Sequence, residues 1–176
     1  MLRPHIEDVR ADIIDGGEYA VTFFVDEYPR QIDESGRLIL PSKIRKEIGS
    51  TVYITQSPSE RCLHLYTEEG WEDIATKVKQ LPTATDRNAA AFVRVFFGKA
   101  SSVKVDKQGR IAIASRLLKY AQLTKDVVLV GANTRLELWD SEMWEEYQNG
   151  LSDDIMMDGI QVGGQAVLGR QIRQST

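Results

Sequence analysis

The sequence has few of the residues that build disulfide-rich, metal-binding or membrane-spanning proteins. Its 176 residues include one cysteine, Cys62, and two histidines, His5 and His64. A single cysteine forms no internal disulfide and has no partner for a Cys-x-x-Cys site, so we expect a reducing compartment and no structural zinc. No apolar run approaches the roughly 18 residues that cross a bilayer, and the acidic start of the chain lacks a signal-peptide core. We therefore expect a cytoplasmic protein with no membrane contact.

The sequence also lacks the residue patterns that catalysis requires. It contains no nucleophile–base arrangement, no metal-ligand cluster and no glycine-rich loop that would cradle a phosphate. We therefore predict that the protein is not an enzyme, that it needs no cofactor or metal, and that it has no small-molecule substrate.

The chain as a whole has no excess of positive charge, but its charged residues are unevenly distributed along the sequence. The net charge of −4 argues against a nucleic-acid partner. However, residues 30–46 hold five bases and two acids, residues 104–125 hold six bases and one acid, and residues 137–158 hold eight acids and no base. Such segments can be ordinary solvated surface, yet two basic segments in an acidic chain also indicate a localised cationic face.

The chain contains an internal repeat with an offset of 73 residues. Residues 33–40 (DESGRLIL) match residues 106–113 (DKQGRIAI), and the same offset aligns Trp71 with Trp144. Residues 63–66 (LHLY) align with residues 136–139 (LELW), where His64 falls on Glu137, so a site common to both copies cannot depend on an imidazole. A register kept over these blocks indicates a duplication.

Each copy has the same predicted order of elements. A strand ends at an Asp-x-x-Gly-Arg turn, whose glycine (Gly36 or Gly109) suits a positive φ, and an alternating strand follows. A short helix is predicted over 42–48 or 115–121, with Ser42 or Ser115 as its N-cap. A hairpin and a closing helix, over 68–81 or 141–148, complete each copy.

The duplication also predicts the fold class. A unit of about four short strands cannot bury both faces of its sheet, so two copies should interleave their strands around a pseudo-twofold axis into one closed barrel. We predict an α+β, mostly β protein with short peripheral helices. The expected divisions are an N-terminal arm over 1–22, a first unit over 23–81, a connector helix over 82–98, a second unit over 99–148 and a C-terminal tail over 149–176.

The two Asp-x-x-x-Arg motifs, at residues 33–37 and 106–110, resemble those of the MraZ family. The resemblance covers roughly residues 23–147, and units of that family resemble the swapped-hairpin, double-split barrel fold of AbrB-like regulators and MazE-like antitoxins. It implies a cytoplasmic, nucleoid-associated repressor of the operon for cell division and cell-wall synthesis. It also implies a ring of subunits that binds short direct repeats in promoter DNA.

The residues themselves suggest how such a protein would bind DNA. Arg37 and Arg110 directly follow a tight turn, so a rigid hairpin positions each guanidinium to bind guanine or a phosphate. Asp33 and Asp106 are expected to accept turn N–H groups and to orient these arginines, together with the turn glycines. The other cations predicted at the DNA surface are Arg30, Lys43, Arg45, Lys46, Lys104, Lys107, Arg116 and Lys119.

Other interpretations of these features stay open. The Asp–Arg pairs could be salt bridges that only stabilise turns, and the chain could be an antitoxin or a structural ring without a DNA role. Residues 137–158 are expected to form an acidic surface that could meet basic segments of neighbouring subunits. The copies also differ at one position between strand and helix. The first copy has Pro41 there, and the second copy has Ala114, so it lacks a proline to end the strand before the helix.

Overall fold

A computed structural model describes residues 22–151, 155, 157–159 and 162. The described residues form the following elements in chain order: β1 (Glu27–Gln31), β2 (Arg37–Ile39), α1 (Ser42–Glu47), β3 (Thr51–Gln56), β4 (Leu63–Tyr66), α2 (Glu68–Val78), α3 (Arg87–Gly98), β5 (Ser101–Lys104), β6 (Arg110–Ala112), α4 (Ser115–Tyr120), β7 (Asp126–Gly131), β8 (Leu136–Asp140) and α5 (Ser141–Gly150). The predicted α+β, mostly β class is confirmed. The predicted arm lies almost wholly outside the described residues, as does much of the predicted tail. Of the described tail residues, 149 and 150 end α5, and 155, 157–159 and 162 are helical.

The two copies share one antiparallel sheet and one small ribbon. Six strands form the sheet in the order β1-β7-β8-β4-β3-β5, and β2 pairs with β6 in a separate two-stranded ribbon. The first copy's β1 pairs with the second copy's β7, and the second copy's β5 pairs with the first copy's β3. Among the described residues the edge strands β1 and β5 are not paired with each other, so the predicted closed barrel is not formed by strand pairing.

A pseudo-twofold axis passes between β4 and β8 and through the ribbon. If each strand of the sheet is replaced by its equivalent in the other copy, the order becomes β5-β3-β4-β8-β7-β1. This is the original order read from the opposite edge. Positions related by the repeat therefore face each other on the axis, as Leu38 faces Ile111 and His64 faces Glu137. In a symmetric dimer of single units, each of these side chains would face the identical side chain of the other subunit. The duplication instead allows a histidine to lie beside a glutamate.

One apolar core joins the sheet, the ribbon and the short helices α1 and α4. Leu38 and Ile111 of the ribbon are fully buried in it, as are Ile44 of α1 and Leu117 of α4. Because the side chains of a strand alternate between its two faces, burial of Leu38 turns its neighbours outward. The ribbon is thus anchored by one face and exposes the other. None of the helices formed by the described residues combines the length and apolarity needed to span a bilayer.

The predicted serine N-caps are wrong. Ser42 and Ser115 are the first helical residues, and the caps are Pro41 and Ala114, which form no side-chain capping hydrogen bond. Both caps have extended backbone, with ψ of 146° and 138°, so Ala114 makes the same bend without the proline ring. We infer that packing of one buried residue in each helix, Ile44 or Leu117, rather than a side-chain cap, sets where these helices begin.

Two acids of segment 137–158 belong to the interior, which corrects the expectation of a continuous acidic surface. Asp140 is 4% exposed and caps α5, accepting a hydrogen bond from the Glu142 N–H at 3.1 Å. Its other oxygen accepts the N–H and the hydroxyl of Thr124 at 2.9 and 2.7 Å. Glu137 is mostly buried beside His64. These two carboxylates therefore stabilise the fold and are not free to meet another subunit.

Candidate nucleic-acid interface

The outer face of the β2–β6 ribbon carries the arginines of both motifs. Arg37 is paired in register with Ala112, and Ile39 is paired with Arg110. Since these four residues share the face opposite the core, they form a small square, in which Arg110 is partly exposed and the other three are exposed. The two arginines occupy one diagonal, related by the pseudo-twofold axis, and Ile39 and Ala112 occupy the other.

The same hydrogen bonds hold both turns. Asp33 Oδ1 accepts the backbone N–H groups of Ser35 and Arg37, each at 2.9 Å. Asp106 Oδ1 accepts those of the equivalent residues at 2.8 and 2.9 Å. Because the carboxylate binds the N–H of the motif arginine itself, it fixes the backbone from which the arginine side chain leaves.

The turn glycines connect each turn to the other copy. Gly36 and Gly109 have φ of +74° and +76°, a conformation that side-chain-bearing residues rarely adopt. The carbonyl of Gly109 accepts the N–H of Leu40 at 2.9 Å, and that of Gly36 accepts the N–H of Ile113 at 2.9 Å. Each turn is therefore tied to the strand end of the opposite copy, which makes the ribbon and both turns one rigid unit.

The two motif arginines differ in what their side chains contact. Arg110 Nε donates to Asp106 Oδ2 at 2.7 Å, and the Arg110 side chain is 29% exposed. Hydrogen bonds from the Arg110 backbone and side chain lower the pKa of Asp106. The Arg37 side chain is exposed and has no hydrogen-bond or ion-pair partner within the described part of the chain. Arg37 can therefore bind a ligand without breaking an internal ion pair. Arg110 would have to leave Asp106 or bind the ligand and Asp106 at the same time.

Arg45 belongs to the first copy but lies on the second copy's turn. Its Nη1 donates to the Gln108 carbonyl at 3.4 Å, and its side chain occupies the space that a Cβ on Gly109 would need. The equivalent residue of the second copy, Leu118, lies less closely against Gly36, with its Cδ1 3.3 Å from where a Cβ would be. The second turn is therefore covered by a cation and the first by an apolar side chain.

Two of the predicted cations are engaged in holding the fold. Lys43 Nζ forms an ion pair with Asp26 Oδ2 at 3.0 Å, and its hydrogen bond lowers the pKa of that carboxyl. Arg116, at the equivalent position, donates through Nη2 to the Ala100 carbonyl at 2.9 Å and to the Ser101 hydroxyl at 2.8 Å. Lys43 remains half-exposed in its pair, but the Arg116 guanidinium is committed to the start of β5.

The remaining predicted cations lie at or near the surface. Arg30, half-buried in β1, donates to the carbonyl of its neighbour Pro29 at 2.7 Å. Lys46 on α1, Lys107 in the second turn and Lys119 on α4 are exposed, and their side chains have no partner among the residues the structure describes. Lys104 Nζ instead donates to Thr51 Oγ1 at 2.8 Å.

The predicted set of site residues omitted the apolar half of the ribbon face. Ile39 and Ala112 share that face with the two arginines, and Ile39 is 54% exposed. A signal for this was present, because in the run Arg37-Leu38-Ile39 the exposed arginine and the isoleucine are two positions apart on a strand.

The possible metal ligands among the described residues are Cys62, His64 and Glu137, whose ligand atoms lie within 4.8 Å of one another. The Glu137 carboxylate already accepts hydrogen bonds from Arg135 Nη2 at 2.6 Å and Trp139 Nε1 at 3.1 Å. Burial raises the pKa of the Cys62 thiol to about 12, whereas a metal needs the thiolate. The cluster is thus better described as a closed buried hydrogen-bond network than as a metal centre.

These observations define a duplicated α+β protein whose two halves share one sheet and present paired Asp-x-x-Gly-Arg turns on an exposed β-ribbon. The sequence profile of the family described as "MraZ protein, putative antitoxin-like" matches residues 23–94 and 96–158. The chain therefore belongs to the MraZ family, which confirms the resemblance seen in the duplicated motif.

Three relatives are each named transcriptional regulator MraZ. The chain is 42% identical to that of Clostridium tetani over 130 residues, covering 74% of this chain and 90% of the relative. It is 43% identical to that of Finegoldia magna over 139 residues, covering 78% and 96%. It is 44% identical to that of Acetivibrio thermocellus over 124 residues, covering 70% and 85%.

Proposed function

We propose that this protein is a transcriptional repressor that binds double-stranded DNA through the outer face of the β2–β6 ribbon. The observation that carries the proposal is the placement of Arg37 and Arg110 on the exposed face of a ribbon whose other face is locked into the core. The major groove of B-DNA is wide enough to admit a two-stranded β-ribbon, and other DNA-binding proteins read bases in this way. The names of the relatives support a role in transcription.

Arginine has the right geometry for this reading. A guanidinium that donates to both O6 and N7 of guanine discriminates against other bases by roughly 1–3 kcal/mol. Arg37, which has no internal partner among the described residues, is the first candidate for such a contact. Arg45, Lys46 and Lys107 would neutralise phosphates beside the ribbon, which makes the affinity dependent on salt.

The small size of one ribbon requires several of them to act together. A chain with a net charge of −4 and a few base contacts binds a single site weakly. We propose that several subunits form a ring and bind direct repeats in the promoter, since linked sites can raise avidity by roughly 10²–10⁴. The proposed target is the gene cluster for cell division and cell-wall synthesis, and the proposed location is the nucleoid in the cytoplasm.

The exchange of strands between the copies supports a finer fold assignment. Each copy contributes an edge strand to the other copy's half of the sheet, and β2 and β6 pair across the axis. We propose that sheet and ribbon together correspond to the double-split barrel of AbrB-like regulators. The divisions at residues 22, 81, 98 and 148 then separate two units of one composite domain.

The first test is protection of the DNA upstream of the protein's own gene, measured at two salt concentrations. We expect evenly spaced protected blocks that fade as salt increases. Arg37→Ala should then weaken binding to the protected duplex by roughly 5- to 150-fold in fluorescence anisotropy. Arg94→Ala removes the same charge from an exposed position on α3 and serves as the control, with an expected change below about twofold.

Other outcomes would decide against the proposal. Equal losses for Arg37→Ala and Arg94→Ala would mean that only bulk charge attracts the DNA. Unchanged DNA retention by Arg37→Ala would favour a structural ring, and a toxin protein that co-purifies from the native host in place of DNA would favour an antitoxin.

A further inference from the structure

The outer face of the ribbon is symmetric in its arginines and asymmetric in everything else. The repeat relates Arg37 to Arg110 and also relates Ile39 to Ala112. The first copy therefore presents a large β-branched side chain at Ile39, whereas the second copy presents a single methyl group at Ala112. Ile39 is 54% exposed although it is a large apolar residue paired within a β-ribbon.

We propose that Ile39 is a specificity-determining residue that packs against the C5-methyl group of a thymine, and that Ala112 gives the other half of the ribbon a weaker preference. This inference rests on the proposed DNA-binding function and names the base that one part of the same site selects.

The position of Ile39 is fixed by the core beneath it. Its neighbours along the strand point inward, and Leu38 is fully buried against Ile111. Ile39 therefore cannot turn into the core without breaking the ribbon. As a β-branched residue it also has few χ1 choices, so its methyl groups are presented in a defined direction.

The surroundings of Ile39 match the pattern of groups in the major groove. Arg110 is directly opposite Ile39, and Arg37 is two residues before it on the same face. Two residues along a strand span about 6.7 Å, which corresponds to about two base-pair steps of B-DNA. Guanine offers acceptors to an arginine, and thymine offers the groove's apolar group, its C5-methyl. A surface with an isoleucine between two arginines therefore fits a thymine within about two steps of guanine.

The turns show the same asymmetry independently. Arg45 covers the glycine of the second turn, whereas Leu118 covers that of the first. The apolar residues Ile39 and Leu118 both line the shallow groove beside the first turn. The two halves of the ribbon thus differ in side-chain chemistry at the outer strand positions and at the turns, so the protein should recognise a sequence without internal twofold symmetry.

The test replaces single thymines by uracil in the protected duplex, because uracil lacks only the methyl group and keeps the base pair. We expect one thymine per repeat at which the wild-type protein loses about three- to tenfold in affinity. Ile39→Ala should bind the thymine duplex more weakly, and its thymine-to-uracil ratio at that position should fall to the small value expected of Ala112. Ala112→Ile should gain a second thymine preference in the other half of the repeat.

Two further variants separate base reading from folding. Ile39→Thr keeps the β-branched shape that suits a strand, so its thermal midpoint should stay close to that of the wild type, while the thymine preference should fall to a value between those of the wild type and Ile39→Ala, because one methyl group remains. Val95→Ala, at a residue of α3 that is 53% exposed, is the matched control and should leave the thymine-to-uracil ratio unchanged.

The inference is overturned if Ile39→Ala and the wild type show the same thymine-to-uracil ratio at every position, or if the protected repeat contains no thymine. In either case Arg37-dependent binding would still stand, and only the role of Ile39 would fail. If no duplex is bound, or if Arg37→Ala binds normally, the proposed function fails and the inference fails with it.

Discussion

Replacing Glu137 by glutamine should remove a pH-dependent part of the stability of this protein. The Glu137 side chain is 14% exposed, and its carboxylate lies 3.4 Å from His64 Nε2 and 2.6 Å from Arg135 Nη2. Burial raises the pKa of this carboxyl, but hydrogen bonds from His64 and Arg135 outweigh burial and lower the pKa from 4.5 to about 2. The charged form is therefore the one that the folded protein stabilises.

The sign and size of the effect follow from linkage. A carboxyl with a depressed pKa in the folded state contributes stability above its unfolded pKa and loses that contribution as the pH falls towards its folded pKa. A drop from 4.5 to about 2 corresponds to roughly 3 kcal/mol at pH 7 and to roughly 1 kcal/mol at pH 3. Glutamine has the shape of the protonated carboxyl, so the variant has no such contribution.

Urea unfolding at pH 7, 4 and 3 measures this difference, at one protein concentration because assembly also affects stability. We expect the wild type to exceed Glu137→Gln by about 3 kcal/mol at pH 7 and by about 1 kcal/mol at pH 3. Glu145→Gln, at an exposed position of α5, is the control and should change stability by less than about 0.5 kcal/mol at each pH. A wild-type advantage that stays constant from pH 7 to pH 3 would refute the reasoning.

Three further substitutions test the parts of the structure that support the ribbon. Leu38→Ala empties a fully buried position and should lower the free energy of unfolding by about 2–5 kcal/mol in urea titrations; a loss below about 1 kcal/mol would contradict a packed inner face. Gly109→Ala forces a side chain into φ of +76° and against Arg45, so we expect a cost of at least about 1 kcal/mol and weaker DNA binding, and normal stability would argue against that turn. Asp140→Ala leaves the Thr124 N–H without its acceptor and α5 without its cap, which should lower Tm and helical circular dichroism; an unchanged Tm would mean that the cap is dispensable.

Two local rules, turn hydrogen bonding and the alternation of side chains along a strand, were sufficient to predict much of the geometry of the candidate site. Turn hydrogen bonding by Asp33 and Asp106 involves residues two to four positions apart, and strand alternation places Arg37 and Arg110 outside the core. The same logic failed at the helix starts, because Ser42 could have served as a cap but the core draws the chain into the helix one residue earlier. At this helix start, local hydrogen-bonding preference is weaker than the packing of the one buried residue of α1, Ile44.

By itself the sequence determined that the protein is duplicated, where its strands and turns lie, and which family it belongs to. The tertiary structure alone decided which groups meet across the copies: the Arg45 side chain on the second turn, the Ile113 N–H on the Gly36 carbonyl, and His64 beside Glu137. The physical reason is distance along the chain. Alternation and turn chemistry act between near neighbours, whereas contacts between residues more than 60 positions apart depend on where the pseudo-twofold axis falls when one shared core forms.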